Sequence, residues 1–116
     1  MRPPIKLYGI SNCDSVKRAR AWFADQGVDV VFHDFKKSGV PAGQLDAWIA
    51  ALGWEALLNR RGTTWRRLDE ATRAAVCDAA SARALMLAQP SLIKRPVVAW
   101  GSTTTVGFAP QAWPPR

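Results

Sequence analysis

The spacing of apolar residues separates the chain into elements. Ile5 to Ile10 is a short, nearly continuous apolar run bounded by Pro4 and Ser11-Asn12, which predicts a buried strand. Val16, Ala19 and Phe23 then fall at helical spacing. Ser11 or Asn12 is placed to cap that helix, Asp14 suits its first turn and Gly27 ends it. Val28 to Phe35 is rich in β-branched and aromatic residues and predicts a second strand. Strand, helix and strand in that order imply parallel neighbours joined by a right-handed crossover.

The middle of the chain reads as helical. Ser38 to Pro41 is a turn. Gln44 to Leu52 carries Leu45, Trp48, Ile49 and Leu52 on one face, and Gly53 stops it. Trp54 to Leu58 reads as a short helix, Asn59 to Thr64 as a polar loop, and Asp69–Ala79 and Ser81–Ala88 as two further helices, with Pro90 closing the region. Pro96 to Trp100 and Thr103 to Phe108 then form strands of a hairpin around Gly101-Ser102, followed by a short segment from Ala109 to Trp113. The order predicts an α/β fold of thioredoxin-like type, β-α-β then β-β-α. It is one domain over residues 1–116, with a helical insertion at about 41–89.

Length and composition are consistent with that picture. A chain of 116 residues with 48% hydrophobic content, six Trp and four Phe supports one core. No apolar run approaches the roughly 20 residues that span a bilayer, and the start shows no long apolar signal region. The expectation is a cytoplasmic monomer without a membrane partner. Sixteen Lys and Arg against nine Asp and Glu give +7, spread as short pairs such as Lys17-Arg18, Arg60-Arg61 and Lys94-Arg95. No aromatic interleaving makes these pairs a nucleic-acid pattern, so they read first as a solvated surface. Two cysteines and one histidine supply neither a disulfide framework nor a structural zinc site, and no metal and no bound cofactor are expected.

Cys13 is the sharpest chemical feature. It stands where the first strand hands over to the first helix, in the polar setting Ser-Asn-Cys-Asp. Backbone N–H groups at a helix start favour a thiolate, and Lys17 one turn on adds positive potential. Position and polarity argue for a nucleophile rather than a small core residue. Cys77, between Val76 and Ala79-Ala80, reads as helix core, the alternative being a resolving thiol. Val16 occupies the place of an adjacent resolving cysteine, so a mechanism built on one cysteine must recruit an external thiol such as glutathione.

Other candidates are anion binders. Arg95 precedes Pro96, whose peptide bond can be cis at modest cost, and its fork of donors suits a carboxylate or oxyanion. The loop Asn59-Arg60-Arg61-Gly62-Thr63-Thr64 offers two arginines, a glycine and hydroxyls to an anion, or is simply solvated. His33 reads as a strand histidine, and Asp69-Glu70 as charges of a helix start.

Leu7-Tyr8-Gly9-Ile10-Ser11-Asn12-Cys13-Asp14, Phe32-His33-Asp34, Gly53-Trp54-Glu55, the stretch from Leu57 to Arg66, and Ile93-Lys94-Arg95-Pro96 together resemble the ArsC/Spx superfamily, most closely its YffB-type branch. The resemblance runs from about Ile5 to Phe108. It implies a thioredoxin-like fold with an inserted helical subdomain. In the family's arsenate reductases one N-terminal cysteine attacks arsenate, and glutathione with glutaredoxin completes the reduction. Cys13 matches that cysteine, Arg61 the arginine of the Asn-x-Arg-Gly loop, and Arg95 and Pro96 the arginine and the cis proline after it.

A third arginine of those reductases, in the last hairpin region, has no counterpart, since no Arg or Lys occurs from Trp100 to Pro115. The Cys-x-x-Cys switch of Spx-type regulators is absent as well. The resemblance therefore implies a glutathione-dependent thiol–disulfide oxidoreductase, an arsenate reductase-like protein with Cys13, Arg61 and Arg95 catalytic. Asn12, Lys17, Arg60 and Pro96 would bind substrate or glutathione. Glutathione would be co-substrate, glutaredoxin a partner, and a small oxyanion or disulfide the substrate. The alternatives are a true glutaredoxin-coupled arsenate reductase and a Spx-like partner of RNA polymerase.

Overall fold

A computed structural model describes residues 4–114. The described residues divide into two compact units, one made of residues 4–38 and 95–114 and one of residues 39–94.

The first unit holds the sheet. Strand β1 (Ile5–Gly9) leads to helix α1 (Asp14–Asp25), strand β2 (Val30–Asp34) and the one-turn helix α2 (Phe35–Ser38). After the second unit the chain returns as β3 (Val97–Ala99) and β4 (Thr104–Val106). The four strands lie in the order β2-β1-β3-β4. β1 pairs parallel with β2, and antiparallel with β3, which pairs antiparallel with β4. This is the expected α/β arrangement of thioredoxin-like type. Ile5 and Leu7 of β1 and Val98 of β3 bury their side chains with Val16, Ala19 and Phe23 of α1. Trp100 and Trp113 join them, Phe23 and Trp113 stacking with ring centroids 5.2 Å apart.

The strands are shorter than the sequence expectation, β2 lacking Val28 and Asp29, β3 lacking Pro96 and Trp100, and β4 lacking Thr103, Gly107 and Phe108, and three further boundaries differ. Helix α1 is capped by neither Ser11 nor Asn12 but by Cys13, whose extended backbone (φ −96°, ψ 129°) ends the turn begun at Ile10. Phe35 leaves the second strand and starts α2, where the Asp34 carboxylate accepts the Lys36 amide at 2.9 Å and turns the chain. The closing segment is one 3-10 turn, Pro110–Ala112, held short by Pro110 and Pro114.

The second unit is helical: α3 (Ala42–Leu52), α4 (Trp54–Leu57), α5 (Thr63–Arg67), α6 (Glu70–Ala74) and α7 (Ala79–Ala88), then a 3-10 turn at Pro90–Leu92. Leu45, Trp48, Leu57, Leu58, Ala82, Met86, Leu92 and Ile93 are buried. Gly53, at φ 87°, separates α3 from α4 in a backbone region that favours glycine. Arg83 of α7 pairs with Asp46 of α3.

Two expectations are corrected here. Thr63 and Thr64 open α5 rather than ending a polar loop. The helix expected over Asp69–Ala79 stops at Ala74, and Cys77 is an exposed free thiol rather than helix core. The cause is a competing start signal. The Asp78 carboxylate accepts the Ser81 amide at 2.9 Å, while the Ser81 hydroxyl takes the Asp78 amide, so a capping box begins α7 immediately after Cys77.

Candidate functional site

Cys13 gets its place from β1 and α1. The antiparallel register sets Tyr8 against Val97, which runs the end of β1 toward Pro96. The Cys13 loop and the start of β3 thus share one end of the sheet. The Cys13 amide donates to the Ile10 carbonyl at 3.2 Å, and its own carbonyl accepts the Lys17 amide at 2.9 Å as the first bond of the helix. The thiol is half-buried against the aromatic core and makes no capping hydrogen bond. The first amides of α1 have no helical acceptor, so a negatively charged sulfur at the cap has donors next to it. Asn12 and Lys17 are both exposed.

The Arg95–Pro96 peptide bond is cis. The Pro96 carbonyl accepts the Gly107 amide at 2.9 Å, which ties this bond to the end of β4. Arg95 is partly buried. The first unit therefore carries Cys13, Asn12, Lys17, Arg95 and Pro96. On the same strands the Tyr8 ring packs against His33 in a tilted pair with centroids 5.3 Å apart, and burial pushes the Tyr8 phenol above its ordinary pKa, so it stays neutral.

Arg60 and Arg61 lie in the second unit, where they line a cleft of about 360 Å³ with Glu55, Leu58 and Lys94. The loop is built for that presentation. Asn59 folds its side chain back to accept the Arg61 amide at 3.1 Å, and a β-carbon on Gly62 would stand 2.8 Å from the Asn59 amide nitrogen. The Arg60 guanidinium sits 5.4 Å from the centre of a Trp54 ring. Lys94 joins them because Leu58 bridges Ile93, the Asn59 amide donates to Leu92, and the Lys94 amide donates to Leu57. Lys94 has no site role by sequence reasoning, and that pairing of distant segments has no local sequence signal. Three cations facing one carboxylate make a cleft suited to an anionic group.

Among the described residues no group of three His, Cys, Asp or Glu could hold a metal ion, and no helix is long and apolar enough to cross a membrane.

The chain is similar to proteins of known sequence or structure. A solved structure of a YffB protein is 51% identical, covers 93% of this chain and 94% of its own, and superposes with a TM-score of 0.88. An arsenate reductase (ArsC) related protein from Brucella melitensis is 52% identical, with 94% of this chain and 90% of its own covered and a TM-score of 0.76. An uncharacterized protein of Haemophilus influenzae is 38% identical over 104 residues, 90% of each chain. The sequence model of the ArsC family matches residues 8–114. The chain belongs to the ArsC family.

Proposed function

We propose that this protein is a glutathione-dependent thiol–disulfide reductase with Cys13 as its nucleophile. The observation that carries the reading is Cys13 itself. It caps α1, is reachable from solvent, and lies at the sheet end that also holds cis-Pro96. Membership of a family whose solved relatives include an arsenate reductase-related protein supports thiol-based reduction.

The chemistry needs no second cysteine of this chain. The Cys13 thiolate attacks the glutathionyl sulfur of a mixed disulfide, a new S–S bond forms, and the substrate thiolate leaves and takes a proton. A glutathione thiolate then attacks the same sulfur, releasing oxidised glutathione and the Cys13 thiolate. One substrate disulfide is reduced and two glutathione units become one disulfide. The α1 amides and Lys17 favour the negative sulfur at both ends of the cycle. Asn12 borders the reacting sulfur. Arg95 and the Arg60-Arg61 loop bind anionic groups of substrate or glutathione. With no resident cofactor in the cycle, glutathione is the only co-substrate and glutaredoxin an optional second donor.

The test is reduction of a glutathionylated peptide, coupled to NADPH through glutathione reductase. The native protein should turn over and Cys13→Ser should be silent. Mass spectrometry should find one glutathione on Cys13 when glutathione is limiting. Full activity in Cys13→Ser refutes the proposal. Arsenate supplied in place of the peptide, with glutaredoxin present, tests the oxyanion reading in the same assay.

A further inference from the structure

We infer that a second cleft, beside the Cys13 loop in the first unit, recognises the free amino-acid end of the thiol co-substrate. This rests on the reductase reading above and deepens it by assigning the residues that select the thiol.

The cleft has a volume of about 310 Å³ and is walled by Ser11, Arg20, Phe32, His33, Asp34, Lys37 and Ser38. Three elements meet there: α1 supplies Arg20, β2 supplies Phe32 and Asp34, and α2 supplies Lys37 and Ser38. The guanidinium of Arg20 lies 4.5 Å from the centre of the Phe32 ring, which limits the freedom of an otherwise exposed side chain. Asp34 is only 8% exposed. One of its oxygens is held by the Lys36 amide at 2.9 Å, and among the described residues the other accepts no hydrogen bond.

The charge pattern decides the ligand. Two cations and one carboxylate fit poorly with a compact multiply charged oxyanion, which Asp34 would repel. They fit a group that bears a carboxylate and an ammonium on one carbon. Glutathione has such a group at its γ-glutamyl end, and its overall pattern of two carboxylates and one ammonium is the mirror of the cleft. The cleft borders the Cys13 loop: Ser11, which lines it, is two residues from Cys13, so their backbones are at most about 7 Å apart. A glutathione whose thiol meets Cys13 would extend its γ-glutamyl end toward Arg20, Lys37 and Asp34.

The experiment separates binding from turnover. S-methylglutathione, which cannot react, is titrated against the Cys13→Ser protein and followed by amide chemical shifts. We expect shifts at Ser11, Arg20 and Lys37, and affinity reduced about tenfold in Arg20→Gln and in Lys37→Gln. N-acetylation of the ligand should cost a similar factor. In the active protein the same two substitutions should raise KM for glutathione about tenfold and raise KM for 2-mercaptoethanol, which has no amino-acid end, far less. No binding, or binding indifferent to both substitutions, overturns the inference. If glutathione KM ignores Arg20 and Lys37 while turnover persists, the cleft assignment fails and the reductase stands. If S-methylglutathione binds as described but nothing is turned over, the cleft stands and the reductase fails.

Discussion

Gly9 and Val16 approach so closely that a β-carbon on Gly9 would lie 2.6 Å from Cγ2 of Val16. Val16 is fully buried in the second position after the helix start, so this contact sets how near the first turn of α1 comes to β1. The Cys13 cap stands between them in the chain. Gly9→Ala should therefore destabilise by about 1–3 kcal/mol, since the clash is with a buried branched side chain. Urea denaturation measures it, and adding Val16→Ala should return less than Val16→Ala alone removes if the clash is the cause.

Phe23 is 1% exposed and touches Trp22, Trp100 and Trp113. Phe23→Ala should lower stability by about 3–5 kcal/mol. Tryptophan emission should shift to the red in the folded variant, because Trp100 and Trp113, buried in the same core, both pack against the Phe23 ring.

Asp69 and Asp78 each accept a hydrogen bond at the start of a helix, from Thr72 and from Ser81, and those bonds hold both carboxyls below the ordinary carboxylate pKa. A depressed folded pKa adds stability above the unfolded value, about 4, and that stability is lost as pH falls through the folded value. Melting midpoints taken from neutrality to about pH 3 should drop more steeply for the native protein than for the Asp69→Asn/Asp78→Asn double variant, whose caps do not titrate.

Cys77 is exposed, in the link between α6 and α7, whereas Cys13 is half-buried. Cys77→Ser should leave disulfide reduction unchanged, while Cys13→Ser abolishes it. A loss of activity with Cys77→Ser would mean that the external thiol is not the resolving group.

Arg61 shares its cleft with Arg60 and Lys94. Arg61→Ala should weaken the apparent affinity for an anionic disulfide substrate about tenfold or more, as expected for removing a charged hydrogen bond. A neutral disulfide should be affected much less in the same assay, and an equal loss on both would remove Arg61 from anion binding.

Much of the first unit was legible locally. The apolar run of β1, the Val16-Ala19-Phe23 spacing and the glycine after the helix mark the strand–loop–helix that carries Cys13. Periodicity also marked α3, through Leu45 and Trp48, and Pro96 marked the approach to β3, which starts at Val97. It failed at Cys77, because alanine-rich sequence on both sides hid the capping pair Asp78 and Ser81 that restarts the helix. It failed at Thr63-Thr64 for a related reason: β-branched hydroxyl residues read as loop, yet they start α5, with the Thr64 hydroxyl hydrogen-bonded to Ser91 at 2.8 Å.

The chain order alone therefore singled out Cys13 as the candidate nucleophile and showed which family the protein resembles, since both depend on residues close together in sequence. Tertiary structure alone decided which charges meet. Lys94 reaches Arg60 and Arg61 only through the bridge between Leu58 and Ile93, and Arg20 faces Asp34 and Lys37 only because α1 packs beside β2. A side chain's partners across a sheet or a bridge depend on long-range register, which no local period records.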